Sequence, residues 1–175
     1  LVFQNSDDQV MGKVTEQLVS LGETVIIVEP GDQYENAGDN KIKINPCSQE
    51  DYNRLFQETF NEDKGTLGGV LHSWSLGLPG MDAFSLKEIE NSQELSIVSA
   101  MYLAQNLINI NKNIRPPPFL LTRGVQNIDE GMAMGNIAQA PLWGLARVIS
   151  VEHINLQCKK IDLHFERNED GVDQL

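Results

Sequence analysis

Short apolar runs alternate with longer amphipathic ones along the chain, and their two periods separate into strands and helices. Leu1 to Phe3 reads as the end of a strand, and Gln4 to Asp8 as the polar cap of a helix. Val10, Val14, Leu18 and Leu21 then recur at helical spacing before Gly22, which predicts a helix with one face on a sheet. Thr24 to Val28 (TVIIV) reads as a buried strand, and the polar stretch Glu29 to Asn40, with Pro30, Gly31 and Gly38, as a loop. Lys41 to Ile44 alternates as a short strand. Asn45 to Ser48 lead into a helix whose face is Tyr52, Leu55, Phe56 and Phe60, in a region closed by Gly65. Gly69 to Leu76 (GVLHSWSL) reads as a further strand, followed by a loop from Gly77 to Ser85.

A long helix is expected from Leu86 to about Lys112. Its face is drawn through Ile89, Leu95, Val98, Met101, Tyr102, Gln105 and Ile108, and it frays at Asn109, Asn111 and Asn113. Pro116, Pro117 and Pro118 forbid helix and force an extended approach to the strand Phe119 to Thr122. Asn127 to Met134 reads as a mobile loop. Pro141 then opens the densest apolar run of the chain, Leu142, Trp143, Leu145, Ala146, Val148, Ile149 and Val151, read as a buried helix. His153 and Asn155 break it before the strand Cys158 to Leu163, and Glu166 to Leu175 reads as the start of a linker.

Strands alternating with helices in this order imply an α/β fold, a Rossmann-like parallel sheet with helices on both faces and right-handed connections. No internal repeat or low-complexity block divides the chain. Its 175 residues suit one domain burying roughly 70% of the surface of its unfolded chain. No apolar run approaches the roughly 20 residues of a membrane span, and a cytoplasmic protein is expected. Leu1 is not an initiator methionine and Leu1 to Phe3 is too short for a signal segment, so the chain reads as a piece of a longer polypeptide. The net charge of −12 repels phosphate-rich partners and argues against nucleic acid. Cys47 and Cys158 stand far apart with no CxxC, which suits reduced, buried thiols.

The wording PLWGLARVISVEH followed by KKIDL resembles the ketoreductase region of modular type I polyketide synthases, in the half usually called the structural subdomain. GGVLHSWSL (Gly68 to Leu76), FLLTRG (Phe119 to Gly124) and QAPL (Gln139 to Leu142) resemble the same family in the same order, so the resemblance covers most of the chain. It implies a degenerate fold of the short-chain dehydrogenase/reductase type, with a second, homologous half supplying the nucleotide fingerprint and the catalytic tyrosine.

The residues themselves argue against chemistry here. A dinucleotide needs a glycine-rich turn after the first strand, because its pyrophosphate must approach backbone amides at a helix N-terminus. That turn is NSDDQVMG, in which only Gly12 is glycine, and Asp7 with Asp8 put negative charge where phosphate would sit. Short-chain reductases use a tyrosine and, four residues on, a lysine that readies the phenol as a proton donor. Tyr34, Tyr52 and Tyr102 are followed at that spacing by Gly38, Phe56 and Asn106, so no YxxxK exists. By order of elements the helix opened by Pro141 takes the place of the catalytic helix, with Trp143 and Arg147 at the Tyr and Lys spacing. An indole N–H is no general acid near neutral pH. Thr122, where such enzymes carry a serine, cannot act alone. Arg123 is expected to pair with a carboxylate.

His72, His153 and His164 share no metal-ligand spacing with the cysteines and read as structural. Trp74 and Trp143 read as core or interface anchors, and the charged run Asn61 to Lys64 as a solvated loop. The expectation is therefore no catalytic, cofactor-binding or metal residue in this chain. The resemblance implies that residues 1–165 form the ketoreductase structural subdomain, and 166–175 read as the start of a linker. What the resemblance implies is a structural role: packing against a catalytic subdomain of the same polypeptide that uses NADPH to reduce β-ketoacyl chains held on an acyl carrier protein, beside the neighbouring synthase domains. The alternatives are a scaffold in a module without ketoreduction, beside a methyltransferase, dehydratase or enoylreductase, and an intact NADPH oxidoreductase with an atypical site.

Overall fold

The computed structural model describes residues 1–60, 67–78, 85–110, 116–126 and 136–163. The strands are β1 (Val2–Phe3), β2 (Ile27–Pro30), β3 (Glu35–Gly38), β4 (Lys41–Ile44), β5 (Val70–His72), β6 (Pro118–Arg123) and β7 (Lys159–Leu163). The helices are α1 (Gln9–Ser20), α2 (Gln49–Thr59), α3 (Leu86–Gln93), α4 (Ser99–Asn109) and α5 (Ala140–Glu152), with a π-helical turn, Glu94–Val98, joining α3 to α4. The strands form one sheet in the order β3-β4-β2-β1-β5-β6-β7, parallel throughout except for β3, which runs antiparallel to β4. The chain winds outward from β1 through β2 to β4, then returns to β5 on the other side of β1. The strand order therefore reverses between β1 and β5, the Rossmann-like arrangement expected.

Alternation along β1 sends Val2 and Phe3 to opposite faces. Val2 packs with Met11, Val14 and Leu18 of α1, together with Val25 and Leu121. Phe3 packs with Tyr52, Leu55 and Phe56 of α2 and Leu103 and Leu107 of α4. Leu120 of β6 completes that side beneath Leu142 and Ala146 of α5. Ser48 caps α2, accepting from the amide of Asp51, and Ser85 with Glu88 forms a capping box on α3.

Six expectations are corrected. The second strand starts at Ile27 rather than Thr24 and runs on to Pro30. The stretch Glu29 to Asn40 is not all loop, since Glu35–Gly38 forms β3, exposed along its whole length. Its turn is a tight one, with Gly38, Asp39 and Asn40 all at positive φ (79°, 47° and 59°). GVLHSWSL is strand only to His72, and Trp74–Gly77 turns into 3-10 helix because the side chains of Ser73 to Ser75 bond neighbouring strands, as described below. The buried face of the long helix runs through Ser92, Ser96, Ser99, Leu103 and Leu107, leaving Ile89 and Gln105 exposed. Those serines are buried at little cost because each hydroxyl donates to a carbonyl within the helix: Ser92 to Ile89, Ser96 to Ser92 and Ser99 to Leu95.

The helix opened by Pro141 is buried along one side only, by Leu142, Ala146 and Ile149, with Val148 and Val151 exposed. Cys47 is exposed and Cys158 half-buried; both are free thiols, and burial pushes Cys158 up to about 11. The readings of Asn61 to Lys64, Gly65, Asn111 and Asn113, Asn127 to Met134, His164 and the tail 166–175 lie outside the described residues. Among the described residues no helix is long and apolar enough to cross a membrane.

Candidate functional site

In open α/β sheets a ligand lies outside the carboxyl ends of the strands, where their order reverses. Here that point is the end of β1 and β5, and the triplet Ser73-Trp74-Ser75 occupies it. The Ser73 hydroxyl donates to the carbonyl of Phe3 at 2.8 Å, and the Ser75 hydroxyl to that of Leu121 at 2.6 Å. Between them the wholly buried indole of Trp74 donates from Nε1 to the carbonyls of Gln4 (3.2 Å) and Val28 (3.1 Å). One tripeptide thus ties β5 to β1, β2 and β6. The Trp74 ring also stands edge-on to Phe3, 5.2 Å between centroids, and to His72, at 5.6 Å. Asn5 closes the same end by donating to the Trp74 carbonyl at 3.3 Å. It lies so near Gly77 that a Cβ added there would come within 2.5 Å of its Nδ2.

The helix end that would receive a pyrophosphate is also taken. Asp8 is the N-cap of α1, and its Oδ1 accepts from the amides of Val10 (3.1 Å) and Met11 (3.0 Å). The resident carboxylate satisfies these donors and opposes an anion with its own charge. A dinucleotide does not fit the residues present: its phosphate amides hold Asp8, and its crevice holds Trp74.

Near the end of β6 the structure brings Thr122 and Trp143 together, across 21 residues of sequence. Trp143 Nε1 donates to Thr122 Oγ1 at 2.8 Å, and Thr122 Oγ1 donates to Asp162 Oδ1 at 2.7 Å. Asp162 also accepts from the amides of Val125 (3.1 Å) and Gln126 (2.7 Å). A second clasp joins the end of β6 to the start of α5, where the Arg123 amide donates to Gln139 Oε1 at 2.8 Å. The Lys160 ammonium lies 5.5 Å from the Trp143 ring centre. Arg147 is exposed and takes no part in this chain of bonds, so the Trp143–Arg147 spacing does not assemble a pair. Asp162, Gln139, Ser73 and Ser75 are not singled out by the sequence. No motif marks a lone strand aspartate, although the two serines flanking a tryptophan at the end of a strand could have been read as bonds to neighbouring strands.

The hydroxyl of Thr122 has one proton and gives it to Asp162 while accepting from Trp143, so it is committed on both sides. Replacing Thr122 with valine keeps the shape but leaves the indole N–H without its acceptor. The expected cost is about 1–3 kcal/mol in urea unfolding. A loss near zero would mean that the bond contributes nothing.

The tyrosines sit elsewhere. Tyr34 donates to Glu58 at 2.7 Å, and burial with that bond pushes its phenol up to about 12. Tyr52 is wholly buried, which drives its phenol well above the usual range. His72 is wholly buried beside Phe3, its Nε2 lying 2.8 Å from Ser99 Oγ. Among the described residues no group of three or more His, Cys, Asp or Glu could hold a metal ion.

The fold recurs in solved structures. A multidomain structure with adenylation, ketoreductase and pseudo Asub domains of a keto acid-selecting NRPS module matches with TM-score 0.76 and 18% identity, over 93% of this chain and 13% of that one. An N-terminal ketoreductase from the macrolactin assembly line matches with TM-score 0.68 and 20% identity, over 94% of this chain and 32% of that one. The ligand-free aldohexose dehydrogenase of Thermoplasma acidophilum matches with TM-score 0.67 and 13% identity, over 94% and 66%. At these identities the likeness is one of fold, and the chain spans under a third of the length of the first two. No curated protein matches the sequence. The family model described as beta-ketoacyl synthase-like, N-terminal, matches residues 1–174, so the chain belongs to that family, and it resembles the ketoreductase region of polyketide synthases, as its PLWGLARVISVEH and FLLTRG wording implied.

Proposed function

We propose that residues 1–165 are a non-catalytic structural subdomain that stabilises a separate, NADPH-binding reductase half of the same polypeptide. That half reduces β-ketoacyl chains carried on an acyl carrier protein, within a synthase whose neighbouring domains surround the pair. The observation that carries this reading is the Ser73-Trp74-Ser75 tie across the ends of β1, β2 and β6, which fills the place a nicotinamide cofactor takes in an open α/β sheet. The Asp8 cap and the Trp143–Thr122–Asp162 bonds support it from either side. In this reading none of the chain's residues binds cofactor or moves a proton to substrate. Their work is to keep a Rossmann-like body rigid where an enzyme would need an open cleft.

The test is a calorimetric titration with NADPH of the chain alone, and of the chain with the segment that follows it in the parent polypeptide. The expected result is no saturable binding by the chain alone and binding with the segment present. Saturable binding by the chain alone would overturn the proposal, while binding in neither case would favour a scaffold in a module that does not reduce.

A further inference from the structure

A pocket lies at the opposite end of the sheet from the Ser73-Trp74-Ser75 tie, where the amino ends of β2 and β4 meet the carboxyl end of α2. Its volume of about 360 Å³ falls within the roughly 300–1,000 Å³ of small-molecule sites. Strand register makes its floor. Ile42 stands opposite Val28 of β2 and Asn36 of β3, and the alternation that turns Ile42 toward α2 turns Ile26 the same way. Both isoleucines belong to the cluster that holds Leu55 and Phe56 of α2. The same alternation sends Lys41 and Lys43 to the other face, and among the described residues no basic side chain lines the pocket. The rim is built of acceptors: Asn36 from β3, Asp39 and Asn40 from the β3–β4 turn, and Glu58 from the last turn of α2. Glu58 is fixed in place, accepting from the Tyr34 hydroxyl and from Arg54 Nε, each at 2.7 Å, and Arg54 offsets part of its charge. Among the described residues no ion pair engages Asp39. The last turn of α2 also lacks a basic side chain to offset the negative end of the helix dipole. Two carboxylates beside a turn are ordinarily a solvated surface. Here they stand over an apolar floor in the same pocket.

We propose that this pocket binds a small alkylammonium compound, its short aliphatic stem on Ile26 and Ile42 and its ammonium toward Asp39 and Glu58. A primary ammonium brings only donors, which suits a rim of carboxylates and amide oxygens. Its stem covers the isoleucine floor, which an inorganic cation would leave bare. An anion is repelled by the rim, and a wholly apolar ligand would take water from the carboxylates without replacing its hydrogen bonds. The site is separate from the crevice and does not rest on the structural role proposed above.

The test titrates n-pentylammonium into the chain at low ionic strength, followed by backbone amide shifts in heteronuclear NMR. Saturable shifts are expected at Asn36, Gly38, Asp39, Asn40 and Thr59, and the affinity should fall roughly threefold or more in Asp39→Asn. Asparagine tolerates the left-handed backbone of this position, where φ is 47°, so the variant should keep its fold. The control is Glu23→Gln, an equal change of charge just beyond α1, which should bind as the wild type does. Pentanol has the same stem without the charge and should bind roughly tenfold more weakly. No saturable shift at these residues would overturn the proposal, as would unchanged affinity in Asp39→Asn. Equal weakening by both variants would reduce the binding to the pull of any cation toward a chain of charge −12. Equal affinity for pentanol would make the pocket an apolar one and overturn the role of the rim.

Discussion

Replacing Trp74 with alanine is expected to destabilise the chain by about 3–5 kcal/mol, the range for truncating a large buried aromatic. Three losses coincide at this residue. The indole packs against both Phe3 and His72, so its removal opens a cavity in the core at the ends of β1 and β5. Its N–H is shared by the carbonyls of Gln4 and Val28, which would be left without that donor at the ends of β1 and β2. It also sits between the two serines that tie β5 to β1 and β6. Against a total stability of roughly 5–15 kcal/mol, such a loss takes a large share. Trp74→Phe keeps most of the volume and removes the donor, so it should cost about 1–3 kcal/mol. Urea unfolding followed by circular dichroism separates the two. If Trp74→Ala shifted the midpoint no more than Trp74→Phe, the indole would be a lining of the crevice rather than its filling. The cavity left by alanine should not confer NADPH binding, because Asp8 still holds the amides at the start of α1.

What the sequence makes legible, and what it hides, divides along the range of the interactions. The strand Lys41 to Ile44 and the helix face Tyr52, Leu55 and Phe56 repeat a local period, and the structure buries Ile42, Ile44, Tyr52, Leu55 and Phe56 together. The missing glycines and the missing YxxxK are local too, and the structure adds what stands in their place. β3 is hidden because both sides of Glu35–Gly38 are solvated, so the strand has no apolar alternation to announce it. The buried face of the long helix is misplaced by its apolar residues because its inner surface is built of serines. Their polarity reads as outward, yet their hydroxyls are satisfied within the helix. Counting apolar residues at one period also misses the π-helical turn Glu94–Val98, which changes the phase of everything after it. The burial of the helix opened by Pro141 is overread for the opposite reason: its apolar residues belong to two sides, one on the sheet and one exposed. The Thr122–Asp162 bond joins residues 40 apart, and only the register of β6 against β7, which pairs them, brings the two together.

The second large effect is a loss of stability in mild acid. His72 is wholly buried against Phe3 and Trp74, and burial lowers its imidazole to about 4 from an ordinary value of 6.5. The Ser99 hydroxyl already donates to the Leu95 carbonyl at 2.7 Å, so it receives the Nε2 hydrogen of a neutral ring. Above pH 6.5 the ring is neutral in both folded and unfolded chains, and stability does not depend on it. Between pH 6.5 and about 4 the unfolded chain takes up a proton that the folded one refuses, so stability falls as the pH falls. By pH 4 the loss from this one group is about 3 kcal/mol, since each pH unit across that window removes roughly 1.4 kcal/mol. Carboxylates also respond to acid, so the discriminating quantity is the difference in slope between the wild type and His72→Gln, whose amide can reach Ser99 but does not titrate. Urea midpoints measured from pH 7.5 to 4.5 should fall more steeply for the wild type, and the two lines should converge as the pH is lowered. Parallel lines would mean that the folded protein accommodates the imidazolium. The core around Phe3, His72 and Trp74 would then be looser than a tie across three strands requires.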